Sequence, residues 1–472
     1  MRVIAQYNKH PVPQFCGNPL TEALSICIDK DVLLKKVEKT IDVKGFWKLD
    51  AIYQQAILQE FANIHIPAPQ FGSLYSKFMS LLLHAYSQIH PFSALNTKNK
   101  YHLATLMTDS KLDWELNVAM FGRTTAPSLM VQGPSGIGKT TEIRLALSCI
   151  PQVLEHHNYN GRHYRQDQLV WISIDLPSTP SLKALALNFF LAVDNALGCT
   201  TYYEEWSKKA KTSVDQHLIG MRKVAIVHEL GLIHIDELQF MLKYAKSKDS
   251  PSLQILEALF NKLGIPLILS CTTQGLALFD ASYTDNSLMP DFTTTRRMLN
   301  DREFKFDLHK ANSPHFKNLF SAFFPLFLQW EETSLDELFY QKFHFLTCGL
   351  PAVMSRLAHL YHETHVQLRR RGSGKKVPSC IDLLEHVYKH QFKLIDPALK
   401  QLRRNQVTQY EASITGGGIG KAVFSDVEKK RQKKAKKDVV VEIKKGGMFD
   451  DHASHPKSLS TDIANGFVKG NS

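Results

Sequence analysis

Residues 133–140 read Gly-Pro-Ser-Gly-Ile-Gly-Lys-Thr, a glycine-rich turn that closes on a lysine and a hydroxyl. The short apolar run Ser128-Leu-Met-Val-Gln132 leads into it, and a helix-like segment from Thr140 to just before Pro151 leads out. A strand, such a turn and a helix together make an anion cradle. Backbone N–H groups from about Ser135 to Thr140 converge at a helix N-terminus, where the partial positive charge favours phosphate. Gly133, Gly136 and Gly138 let the main chain come close, and Pro134, which has no N–H, is tolerable at the outer edge of the loop. Lys139 would reach the β and γ phosphates of a nucleotide, and the Thr140 hydroxyl would ligate Mg²⁺. The candidate nucleotide contacts are therefore Gly133, Pro134, Ser135, Gly136, Ile137, Gly138, Lys139, Thr140 and Thr141.

A second constellation sharpens the first. Leu232-Ile-His-Ile235 reads as a buried strand that delivers Asp236 and Glu237 at its C-terminal end. Asp236 is expected to hold Mg²⁺, mainly through its water shell, and Glu237 to orient and polarise an attacking water. Without the upstream loop, the same dipeptide would only open a turn. Small-molecule kinases and GTPases usually lack this Glu, and Asn261-Lys262-Leu-Gly264 lacks the final Asp of a guanine-reading motif, so ATP is the expected nucleotide. A strand at Pro266–Ser270 ends in Cys-Thr272-Thr273. Its hydroxyl would sit between the other two strand ends, with Thr272 the choice and Thr273 the alternative; capping the next helix is the structural role open to either. Further on, Thr293-Thr-Thr-Arg296-Arg297 offers paired arginines that could neutralise transition-state charge in a neighbouring subunit, or form a surface ion pair.

The elements that must position these residues are legible as an alternation. Strands are expected at 128–132, 169–174, 232–235 and 266–270, and helices at Leu182–Leu197, at Val214–Leu230 and from Pro251 to Gly264. Strands alternating with helices imply an α/β fold, a parallel sheet covered on both faces, with ligands at the carboxyl ends of its strands. Four helices follow, Phe316–Trp330, Leu335–Leu346, Pro351–Val366 and Cys380–Phe392, and suggest a helical lid. Residues 1–120 look mostly helical, with helical spacing at Asp31–Lys39 and Ser73–Ile89. The resulting division is 1–120, 121–310, 311–410 and a flexible tail, 411–472.

Composition narrows the setting. The 472 residues are 44% hydrophobic and 22% charged, an ordinary globular balance. No uninterrupted apolar stretch reaches eighteen residues and no secretory leader is recognisable, so a cytoplasmic protein without a membrane partner is expected. Seven scattered cysteines, none spaced Cys-x-x-Cys, argue against a disulfide framework or a zinc site. The net charge of +12 points to an acidic partner. Seven of the nine residues from Lys429 to Lys437 are basic, beyond a glycine hinge at 416–420, and form a solvated tail or a nucleic-acid or partner-docking arm. The loop Arg369–Lys376 is also basic.

Several of these segments, in order, resemble the TnsC family and its relative TniB, AAA+ regulators of DNA transposition. They are Gly133–Thr141, Pro151-Gln-Val, Ser181–Phe190, Gly231–Gln239 and Gly264–Thr273, with Asn18–Leu24 near the start. The resemblance is densest over residues 128–300. It implies an AAA+ P-loop core with a helical lid, a helical N-terminal extension and a basic tail. In that family, ATP-bound subunits form a homo-oligomeric ring or filament on double-stranded DNA, accept a TnsD/TniQ-type target selector, recruit a TnsA/TnsB-type transposase and disassemble on hydrolysis. By resemblance, Arg296 or Arg297 would be an arginine finger and Arg356, after Thr347-Cys-Gly-Leu-Pro351, a sensor on the lid. Thr179, Ser181 and Lys183 would contact DNA, unless Lys183 simply lies on a solvated helix face. Relatives commonly carry Gly-Thr-Pro where this chain has Ser270-Cys-Thr-Thr273. A helicase- or origin-loading ATPase shares the core but usually adds a winged-helix domain, unrecognisable after residue 400; a nucleotide-switched scaffold would not bind DNA.

Overall fold

The computed structural model describes residues 2–105, 127–177, 181–209, 212–240, 265–273, 303–329, 335–370 and 378–414. By its internal contacts the chain divides into residues 1–416 and 417–472. Thr179, the expected 251–264 helix, Arg296, Arg297, most of the basic 369–376 loop, the glycine hinge and the basic run lie outside the described residues.

Among the described residues the principal sheet has five strands: β2 (Ser128–Gln132), β5 (Trp171–Asp175), β6 (Leu232–Asp236), β7 (Leu267–Cys271) and β8 (Glu303–Lys305). They lie in the order β5-β6-β7-β2-β8, and all pairs are parallel. The central strands β2, β6 and β7 are buried along their whole length, which is why they read as near-continuous apolar runs. Side chains alternate between the two faces. Leu129 and Val131 join one core with the lid and N-terminal helices, while Met130, Ile233 and Ile235 join another. That second core is closed by α7 (Leu182–Leu197) and α9 (Val214–Val227), through Leu185, Phe189, Val193 and Met221. The strand order has one consequence for chemistry. With β7 between β2 and β6, three adjacent strand ends open on the same side of the molecule.

A smaller sheet precedes β5, and the sequence reading had no place for it. β1 (Arg2–Ile4) runs parallel to β3 (Val153–Tyr159), which forms an antiparallel hairpin with β4 (Arg162–Leu169). Leu169 ends β4 opposite Val153, and the chain crosses into the large sheet after Val170, whose N–H donates to the Gln152 carbonyl. The single strand expected over 169–174 is thus the end of one strand and most of another. The signal was Asn160-Gly161: both residues have positive φ (49° and 76°), as a tight two-residue hairpin turn requires. β8 also escaped notice, because three residues with one apolar side chain carry little pattern.

The N-terminal region contributes α1 (Pro19–Glu22), α2 (Lys30–Val37), α3 (Ala51–Gln59), α4 (Phe71–Ser87) and α5 (Ala94–Thr105). Buried Phe71, Leu74, Phe78 and Leu82 of α4 share a core with Ile143 and Leu147 of α6 (Lys139–Ser148). A further helix, α8 (Thr201–Lys208), separates α7 from α9. The helices expected after residue 310 appear as α10 (Pro314–Phe323), which stops short of the expected Trp330, α11 (Glu337–Thr347), α12 (Pro351–Arg370) and α13 (Cys380–Gln391), followed by α14 (Asp396–Arg403) and α15 (Val407–Ile414). Phe316, Phe324, Phe339, Phe343 and Tyr361 fill their centre. α12 also clamps the N-terminal region: Ser355 Oγ donates to the Phe61 carbonyl (3.1 Å), His359 Nδ1 to that of Leu58 (2.7 Å) and Arg370 to that of Leu49 (2.7 Å).

Candidate nucleotide site

The turn between β2 and α6 is shaped by its glycines. A Cβ on Gly133 would lie 2.5 Å from the Phe306 carbonyl oxygen, and Gly138 adopts φ 99° just before Lys139 opens the helix. Either position would resist a side chain. The loop is braced from the lid, where the Ala352 N–H donates to the Gly136 carbonyl (3.2 Å) and the Tyr410 hydroxyl to that of Ser135 (3.0 Å). Lys139 is buried, and its Nζ donates to the carbonyls of Gly133 (2.8 Å) and Pro134 (3.0 Å). Burial pushes its ammonium below the usual lysine range, against the pull of Glu411, Asp236 and Glu237.

Asp236 is the last residue of β6, and Glu237 follows it. Burial would raise Asp236, but His234, the hydroxyls of Ser270 and Thr140 and the Glu237 N–H together hold it below the usual carboxylate range. Beneath it runs a chain across three strands. Ser270 Oγ donates to Asp236, His234 Nε2 donates to Ser270 Oγ (3.1 Å), and Ser173 Oγ donates to His234 Nδ1 (2.8 Å). This direction requires a neutral His234 protonated at Nε2, and burial does drive that ring down to about 4. Arg144 bonds Asp175 at 2.8 Å and lies 3.9 Å from Asp236. Thr140 and Asp236, the two expected Mg²⁺ ligands, line the same cavity, and the Thr140 hydroxyl helps to hold the Asp236 carboxyl low. An ionised carboxylate beside a hydroxyl is an oxygen donor set that suits Mg²⁺.

Glu237 has φ 60°, a left-handed conformation that is costly for a non-glycine residue and concentrated at functional sites. Burial first, then the charges of Asp236 and Asp175, raise its carboxyl above the usual range. Gln239 holds it: the amide Nε2 donates to Glu237, while Oε1 accepts from the Thr272 N–H (3.1 Å). One side chain therefore ties the candidate base to the end of β7. Of the two threonines there, Thr272 lines the cavity, and its buried Oγ1 has no hydrogen-bond partner among the described residues. Thr273 instead donates its N–H to Glu411 of α15 (2.9 Å).

These groups line a cavity of about 600 Å³ bounded by the loop, the strand ends, residues 59–68 and the lid. Arg356 of α12 also lines it, with its guanidinium 5.3 Å from the Phe392 ring centroid. Lys139, Thr140, Asp236, Glu237, Thr272 and Arg356 are thus brought together. Ser181 and Lys183 are not: they lie at the start of α7, where the Ser181 hydroxyl accepts from the Ala184 N–H as an N-cap. Residues missed from sequence are Arg144, His234, Ser270, Gln239 and Glu411. Gln239 alone carried a local signal, two positions after the base.

A phosphate-binding loop and a strand-end carboxylate pair, with a third strand end between them, define a P-loop nucleotide-binding domain. Residues 123–278 match the family model described as an AAA domain, so this part of the chain is an AAA-type ATPase domain. Among solved structures, the chain is similar to the Walker-type ATPase PABY2304 of Pyrococcus abyssi, at 14% identity and TM-score 0.31, over 62% of this chain and 76% of that one. No curated protein matches it. Among the described residues, no helix is long and apolar enough to cross a membrane.

Proposed function

We propose that the protein is a Mg²⁺-dependent ATPase that assembles as a homo-oligomer on duplex DNA in its ATP state and regulates DNA transposition. In this reading it links a TnsD/TniQ-type selector to a TnsA/TnsB-type transposase and disassembles on hydrolysis. The observation that carries the enzymatic half is the convergence of Lys139, Asp236, Glu237 and Thr272 at three adjacent strand ends. The regulatory half is supported by the order of motifs over residues 128–300, which resembles the TnsC family. Bound Mg²⁺, held by Thr140 and Asp236, would neutralise charge on phosphate oxygens.

The chain's own residues divide the remaining work. Lys139 leaves the Gly133 and Pro134 carbonyls for the phosphates, a charge-assisted exchange available within reach of its present position. Glu237, with its raised carboxyl, takes the proton of the attacking water. Thr272 supplies a hydroxyl whose hydrogen bond is uncommitted. Arg356 faces the same space from the lid. Lys183, and Ser181 beside it, approach DNA phosphates and read little sequence.

The test is sedimentation of the full chain with duplex DNA, with and without ATP and Mg²⁺, beside Lys139→Ala. The expected result is ATP-dependent co-sedimentation that Lys139→Ala abolishes. Assembly that ignores ATP, or ATP turnover that DNA neither binds to nor alters, would overturn the DNA-regulatory reading.

A further inference from the structure

Two buried polar atoms of residues that line the cavity have no hydrogen-bond partner among the described residues. Glu142 lies in the first turn of α6, two residues beyond Thr140, and is 5% exposed. Its Oε1 accepts from the Ala68 N–H (3.0 Å), but its Oε2 has no hydrogen-bond partner among the described residues. Nor has His65 Nε2 among them; it stands 3.7 Å from Glu142 Oε1, too far for a hydrogen bond. Both residues line the cavity, together with Ile64, Ile66 and Ala68 of the N-terminal region and Leu319 of the lid.

The placement is built rather than incidental. The His65 backbone is pinned by a reciprocal bridge to Lys39, donating to its carbonyl at 2.9 Å and accepting from its N–H at 2.8 Å. The Glu142 carboxyl is fixed by Ala68. Leaving a carboxylate oxygen and an imidazole nitrogen buried and unpaired costs free energy that native structures rarely tolerate. The apolar side chains beside the pair would suit the faces of a flat ring.

We propose that Glu142 and His65 are the base-reading pair of the nucleotide pocket, selecting adenine over 6-oxopurines. Adenine presents an exocyclic N–H donor next to a ring-nitrogen acceptor. Glu142 Oε2 accepts from the amino group and His65 Nε2–H donates to the ring nitrogen. Hypoxanthine and guanine carry an acceptor oxygen at position 6 and would set it against the lone pairs of Glu142 once that carboxyl, raised to about 7 by burial, is ionised, so binding is compared above that pH. Burial drives the His65 ring down to about 4, so it is neutral near pH 7 and carries a single N–H. This inference rests on the P-loop ATPase reading and adds to it the residues that read the base.

The experiment is calorimetric binding of ATP, inosine triphosphate and purine riboside triphosphate, which lacks any 6-substituent, to the full-length protein and to Glu142→Gln and His65→Asn. Inorganic tripolyphosphate serves as a control for the phosphate end. Wild type should prefer ATP over the inosine nucleotide by about tenfold or more, with the purine nucleotide between them. Glu142→Gln keeps an acceptor for the Ala68 N–H and can turn its amide donor toward the base, so the preference should shrink to within about threefold or reverse. His65→Asn should weaken ATP binding, and tripolyphosphate affinity should hold throughout. Equal binding of the three nucleotides by wild type would overturn the inference while leaving the P-loop reading intact. So would an ATP preference that both variants retain. Failure of every nucleotide and of tripolyphosphate to bind would overturn both.

Discussion

Gln239 shows how much of the chemistry depends on a single side chain outside the two motifs. Its amide connects Glu237 to the main chain of Thr272, so the base and the β7 strand end move as one unit. Gln239→Ala leaves the phosphate loop and the Asp236 hydrogen bonds untouched but frees Glu237 to rotate. Steady-state hydrolysis should show kcat reduced by roughly tenfold or more, the scale on which mispositioned general bases act. ATP affinity should stay within about threefold; a parallel loss of affinity would mean that Gln239 supports the pocket rather than the base. The loop residues and Asp236-Glu237 were legible because each set is contiguous in sequence and its context, strand then turn, is local. Arg144, His234 and Ser270 were not legible. Their roles arise only when β5, β6 and β7 lie side by side, which places a serine, a histidine and another serine in one line beneath Asp236.

At the scale of elements, α15 is the one whose importance sequence hid. The sequence reading began the tail at 411, yet Glu411 is fully buried and Tyr410 is 3% exposed. The helix is short and follows Asn405, with φ 56°, so no long apolar stripe announced it. It braces the phosphate loop through Tyr410 and the β7 end through Glu411. Tyr410→Phe removes one hydrogen bond to a main-chain carbonyl and should lower unfolding free energy by about 1 kcal/mol in denaturant titration, with weaker ATP binding. Deleting residues 421–472, by contrast, should leave basal turnover unchanged and flatten the salt dependence of duplex-DNA affinity, since fewer counterions would be released. Unaltered ATP binding in Tyr410→Phe would limit the helix to a packing role, and a coincident salt slope would remove the tail from DNA contact. The Asn160-Gly161 hairpin teaches the same lesson from the other side. Its turn signal was present, but the alternation through His156–Gln166 is too polar to resemble a buried strand.

The whole molecule carries a set of buried histidines that ties its stability to pH. Burial drives His309, His315 and His365 down to about 4 and His362 to about 3. A histidine whose folded pKa lies below its unfolded value of about 6.5 binds its proton more readily in the unfolded chain. Stability is then fully present above pH 6.5 and is lost as pH falls toward 4. Glu142, raised to about 7 by burial, acts with the opposite sign in the same window, one group against these four and against His65 and His234, also driven down to about 4. His362 alone would account for about 3 kcal/mol by pH 4. Its ring donates to the Phe323 carbonyl at 2.8 Å, joining α12 to the end of α10. Denaturant midpoints should fall steadily between pH 6.5 and 4, and His362→Gln, which can keep a donor but does not titrate, should flatten the fall. A midpoint independent of pH in that range would show that these rings are protonated in the folded state. The α/β class was readable at this scale, because buried parallel strands and amphipathic helices alternate visibly. The strand order was not, since it depends on pairings between segments more than a hundred residues apart.

In the proposed function, Glu237 activates the water that hydrolyses ATP, and hydrolysis limits the life of the DNA-bound assembly. Phosphate release by Glu237→Gln, measured with duplex DNA present and ATP binding determined on the same samples, tests it most directly. The expected result is ATP affinity near wild type, phosphate release reduced on the order of 100-fold or more, and ATP-loaded assemblies that persist on DNA. Phosphate release within about threefold of wild type, with ATP bound normally, would contradict it.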